Sequence, residues 1–354
     1  MLFRSITANT IIVDDITTTT TNTGTLTFAA ATANTIAAAG AVGTSSALLK
    51  EVNIVATEDG ANAANKASIT GNVFATTVNA TATATSSDEI EFGGTVNGTT
   101  VNLLGAGLVD FHGDVTAAVV FGAGASTTGT ATVAANKKIV GAVTTTDTGE
   151  GTLTFATATD NLIAVSGNVG ASGKLLKVVN ILSDDTASDA NEASIGGNIF
   201  ATTINATATV TSSDTVEFAG TVNGTTVNLL GAGATSFLGD VTSNVVFGAG
   251  ASTTGTATVA ADKKIVGAVT TATTDQGTLT FAATTANTTL ASSTIGATAK
   301  LLEVVNVTST ANTATLAGNV FATTVTATAT DATGSDSIAF GGSVTGDTLT
   351  LVGT

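Results

Sequence analysis

Along most of the chain, apolar and polar residues alternate one for one. Gly24–Phe28 (GTLTF), Gly71–Thr81 (GNVFATTVNAT) and Thr95–Leu104 (TVNGTTVNLL) set Val, Leu, Phe or Ala against Thr and Asn at nearly every second position. A period of two belongs to strands with one face buried. The runs are short and end in Gly, Asn, Ser and Asp, the residues that turn a chain. None approaches the ~20 apolar residues of a membrane-spanning helix. The pattern predicts an all-β protein with no direct membrane insertion in this segment.

The strands repeat. GTLTF occurs at Gly24–Phe28, Gly151–Phe155 and Gly277–Phe281, and Val115–Val143 differs from Val241–Val269 at three of 29 positions. The chain reads as the end of a preceding repeat (1–16), two full repeats (17–143 and 144–269) and a partial one (270–354). Within each repeat, strand-like cores recur near Leu26, Val52, Ile69, Ile90, Val109 and Val133 before Leu153 opens the next copy. Their mean step of about 21 residues suits one coil of a parallel β-helix, a β-solenoid, with six coils per ~126-residue long repeat. Coil-to-coil pairing needs every backbone donor, and the chain has no Pro.

Thirteen of the fourteen Phe residues fall at repeat-equivalent positions. Phe28, Phe155 and Phe281, then Phe74, Phe200 and Phe321, then Phe92, Phe218 and Phe340 are expected to form the core ladder. Only 10% of residues are charged, and Cys, Trp and Tyr are absent. That composition suits a narrow core of Val, Ile, Leu and Ala. A net charge of −16 argues against nucleic acid as partner, because phosphate recognition draws on clustered Lys and Arg.

The phrases AVGTSSALLKEVNI, NVGASGKLLKVVNI and IGATAKLLEVVNV, set among GTLTF, VEFAGTVNGTTVN and GNVFATT, resemble the passenger regions of bacterial autotransporters. In particular they resemble the rickettsial surface antigens of the outer-membrane-protein A and B type, over nearly the whole chain. The resemblance implies a right-handed β-helix on a cell surface, with adhesion as its role. The signal peptide and C-terminal membrane barrel of that family are not seen in the sequence. That suits an excised passenger piece, or a related solenoid from another export system or a phage fibre.

Catalytic chemistry is not expected. The single histidine, His112, is Leu238 in the next copy. Asp114 and Asp240 read as turn residues, each capping its own backbone. Lys137–Lys138 and Lys263–Lys264 read as solvated turns. Asp88, Glu89 and Glu91, with Asp214 and Glu217, form acidic corners. Stacked carboxylates there are candidate Ca²⁺ ligands, although a solvated corner is the simpler reading. No cofactor is implied. Acidic insertions within ATEDGANAANKAS and SDDTASDANEAS, shorter in the third copy, are expected to bulge from one corner. Asn79, Asn205 and Asn306 open Asn-X-Thr triplets.

The expected function is that of an extracellular or cell-surface structural and adhesive solenoid segment. An alternative is a subunit of a self-assembling filament or sheath, joined end to end through Ile6, Ile11, Ile12 and Val13 at one end and Leu349, Leu351 and Val352 at the other. The partner would then be a second copy, or else the continuation of a longer chain. Ice binding ranks third. It needs outward Thr at the same place on every coil, whereas the Thr runs cluster and coil lengths vary, so no thermal hysteresis or crystal faceting is expected.

Overall fold

The computed structural model describes the chain apart from residues 1–3, 8–11, 13, 31–34, 58–64, 84–87, 123–128, 159–161, 185–190, 210–213, 249–254, 286–287, 311–312, 331–335 and 354. Among the described residues there are strands and turns but no helix. The strands pair in parallel as a β-solenoid with about 23 residues per coil. Two compact units divide the chain: Met1–Ala156 with Leu162–Val179, and Thr157–Asn161 with Asn180–Thr354.

In the first unit, one face stacks the strands Arg4–Thr7, Thr23–Ala30, Leu49–Ala56, Val73–Ala82, Val96–Leu104, Val115–Phe121 and Val143–Thr145. Its inward ladder runs Leu26, Val52, Val78, Val101, Val119, Val143, so successive coils differ in length while their inward positions stay aligned. A second face stacks Thr35–Ala38, Lys66–Ile69, Glu89–Phe92, Leu108–Phe111, Thr130–Val133 and Glu150–Ala158. Val42, Val73, Val96, Val115, Ile139 and Val165 line a third. The ladders are apolar because alternation turns every second side chain inward, and Val52, Val78, Val101 and Val119 are fully buried.

The long repeat does not hold a whole number of coils. Five turns carry the chain from Leu26 to Val143 on one face, but Leu153, the counterpart of Leu26, pairs with Ala131 on the next. One copy therefore spans five turns and a third, not six. The cores picked out by alternation cross from one face to another between Val52 and Ile69, which makes the coil look shorter in sequence than it is. The second unit shows the same offset. Ile204 lies in the sheet of Val222–Leu230, while its counterpart Val325 lies in the sheet of Thr278–Ala283 and Leu302–Ser309.

Six of the nine Phe residues assigned to the core are as expected or close to it. Phe28, Phe155, Phe281, Phe92 and Phe218 are buried, and Phe340, in the last strand of its face, is half-buried. Phe74, Phe200 and Phe321 are corrected: their inward neighbours are Val73 and Ala75, Ile199 and Ala201, Val320 and Ala322, which leaves each Phe pointing outward and half-buried. Phe74 lies beside Gly43 and Phe321 beside Gly296, both at positive φ, and a Cβ on either glycine would fall 3.1 or 3.0 Å from the Phe Cβ. An aromatic ring covers the bare backbone that a side-chain-less residue leaves in a sheet. Phe111, Phe121, Phe237 and Phe247 join the core; Phe92 stacks on Phe111 at 5.3 Å and Phe218 on Phe237 at 5.4 Å between ring centres.

Candidate functional site

With the interior filled by side chains, recognition must come from the outward positions, which stack into rows one residue per coil. Four kinds of row stand out.

The first is charged. In the first unit Lys66 ion-pairs with Glu89 (2.6 Å) and Glu91 (2.5 Å), and these hydrogen bonds hold the Lys66 ammonium above its ordinary pKa. Asp110, next to Glu91 in register, is pushed up, chiefly by burial and then by the charge of Glu89. The second unit carries Glu192 where the first has Lys66, and burial followed by Glu192 raises Glu217. The Ca²⁺ corners do not assemble. Asp88 and Asp214 turn inward, 1% exposed, and accept hydrogen bonds from Thr83 (2.8 Å) and Thr209 (2.9 Å). Glu89, Glu91 and Glu217 alternate to the outer face. Among the described residues no group of three or more His, Asp or Glu converges on a point that a metal could occupy.

The second kind lies at a corner. Asp114 Oδ1 accepts the Lys138 N–H (3.1 Å) and Asp240 Oδ1 the Lys264 N–H (3.1 Å); Asn72 and Asn198 do the same for Thr95 (2.9 Å) and Thr221 (2.8 Å). These side chains cap the next coil's backbone rather than their own. His112 and Leu238 occupy equivalent outward positions, and Leu238 is 41% exposed.

The third is an amide ladder. Asn79 Nδ2 donates to Asn53 Oδ1 (2.7 Å) and Glu51 (2.8 Å), and Asn102 donates to Asn79 (2.8 Å). In the second unit Asn228 donates to Asn205 (2.8 Å) and Asn205 to Asn180 (2.7 Å). The side-chain amide nitrogens of two Asn-X-Thr triplets, those of Asn79 and Asn205, are thus already engaged as donors.

The fourth was missed from the sequence. On one sheet of the second unit an outward row runs Thr256, Thr278, Val304, Thr324, Thr348. Beside it, two residues on, runs Thr258, Thr280, Asn306, Thr326, Thr350. The numbering along each row shows that the coils differ in length, yet none of these pairings contains a register shift. The differences are absorbed at corners, so variable coil length did not exclude an aligned array. None of the eight Thr hydroxyls has a hydrogen-bond partner among the described residues.

Of the proposed end residues, Leu349, Leu351 and Val352 are 50%, 69% and 44% exposed. Ile12 bridges Ala38; Ile11, Val13 and the side chain of Ile6 lie outside the described residues. The acidic insertions at 58–64 and 185–190 lie outside them too.

Comparison with protein-family models, curated proteins and solved structures gave no match.

Proposed function

We propose that this chain is a non-catalytic structural and adhesive segment of an extracellular or cell-surface solenoid, of the kind displayed by bacterial autotransporter passengers. The observation that carries the reading is the outward surface itself: stacked rows of Thr and Asn, rebuilt in successive copies on an apolar ladder. Solenoids of this type offer extended surfaces on which weak contacts recur and add. The low charge and acidic balance suit such a surface. His112, whose place Leu238 takes, gives no support to acid–base chemistry.

Display of the full chain on a non-adherent bacterium tests the reading. Retention on cell or matrix surfaces is expected, with discrete rods in electron micrographs of the purified protein. No retention in either display orientation would overturn the adhesive role. A second reading is a filament or sheath of stacked copies. Continuous fibres in place of rods would move the case to it.

A further inference from the structure

We propose that the double threonine row on the Thr256–Thr350 face is an ice-binding surface, whose ligand is crystalline water. The reading goes beyond adhesion to cells and fails separately from it.

The argument begins with spacing. Adjacent coils of a parallel sheet lie ~4.8 Å apart, and two residues along a strand span ~6.6 Å. The unbroken register therefore places the hydroxyls on a near-rectangular grid close to the oxygen repeat on a prism face of hexagonal ice. Five coils contribute two positions each, and eight of the ten are Thr. Thr is stiff at χ1, so the grid is held by the side chain as well as the backbone. No charged residue interrupts these ten positions, and a charge would draw water into a radial shell.

Two further observations point to a ligand. The hydroxyls make no bonds within the protein among the described residues, unlike the Asn79 and Asn205 amides, which are spent on their ladders. The pairing is also continuous: it is free of the register shifts found between Thr116 and Ala118 or between Thr289 and Ala291 on other faces. Each hydroxyl can anchor a water at a lattice site, while the adjacent methyl orders the water between sites, as apolar surface does.

The test uses the full chain in a nanolitre cryostage and in ice-affinity partitioning. Faceted crystals and enrichment in the ice fraction are expected, with a small freezing gap because the grid is only two residues wide. The variant T280K/T326K should restore round crystals and leave the protein in the liquid. Bulk at these positions is compatible with the fold, since Glu217 already stands in the same row as Thr258 and Thr280. A second variant, T258E/T280E, repeats that residue and should lose binding equally. T116K, on an exposed position of a different face, should change nothing. Round crystals and exclusion from ice with the parent chain overturn the proposal, and so does equal loss in T116K. Circular dichroism and melting of each variant separate loss of the grid from loss of the fold.

Discussion

Truncating Phe92 and Phe74 to Ala should have very different costs, although both are Phe residues on the same solenoid repeat. Phe92 is fully buried. Its removal forfeits ~1.5–3 kcal/mol of transfer free energy and the stack on Phe111, worth ~0.5–1.5 kcal/mol. The cavity left between rigid ladders brings the total to ~3–5 kcal/mol. Phe74 is half-buried and faces outward, so F74A loses only cover over Gly43, at ~1 kcal/mol on the same area scale. A repeat structure need not unfold as one unit, so the measurement should be local. Hydrogen exchange of the amides in Lys66–Ile69, Glu89–Phe92 and Leu108–Phe111 would report it. A tenfold change in exchange corresponds to roughly 1.4 kcal/mol. F92A should accelerate exchange in these three strands by roughly 10²- to 4 × 10³-fold, with F74A about tenfold or less around Val73–Ala82. Equal effects for the two variants, or under tenfold for F92A, would show that the inward and outward assignments are wrong.

Asn79→Asp should destabilise more than Asn79→Ala at neutral pH. It replaces a donor between Glu51 and Asn53 with a third acceptor, a change of ~1–3 kcal/mol against ~1 kcal/mol for simple loss of the bond, and thermal melts at pH 7 should rank the two. Asp262 accepts hydrogen bonds from the Thr284 hydroxyl and from the Thr284 and Thr285 N–H groups, which lower its pKa from 3.8 to about 2. A lowered folded pKa gives stability that is present above the ordinary value and lost as pH falls from 3.8 towards 2. Exchange at Thr284 and Thr285 should therefore rise across that window, and not in D262N, which carries the residue found at Asn136 in the preceding copy. Replacing His112 with Leu, as at Leu238, should leave the melting temperature and surface binding unchanged; a loss of binding would reopen His112 as a functional group.

The strands were legible because two local signals agree at each of them, the period-two pattern and the recurrence of whole phrases. Parity of alternation carried more information than side-chain size. Phe74 sits between Val73 and Ala75, both inward, and reading the largest apolar residue as core overrode that order. The compensating contact with Gly43 is 31 positions away and leaves no local trace. The threonine grid was hidden for a similar reason. Each Thr-X-Thr is visible in sequence, but alignment across coils of unequal length depends on which corners absorb the difference, and that is settled by pairing.

The third of a turn left over in each long repeat has a consequence for how such a protein can change in length. Exchange between near-identical copies, for which Val115–Val143 and Val241–Val269 offer long matched stretches, adds or removes whole repeats without breaking the coil. Every such event also moves a given repeat residue from one sheet of the coil to the next, as Leu26 and Leu153 show. Neighbouring copies would therefore put the same phrase on different sheets, and only every third copy would return it to the same one. Copy number would then decide which phrases share a sheet.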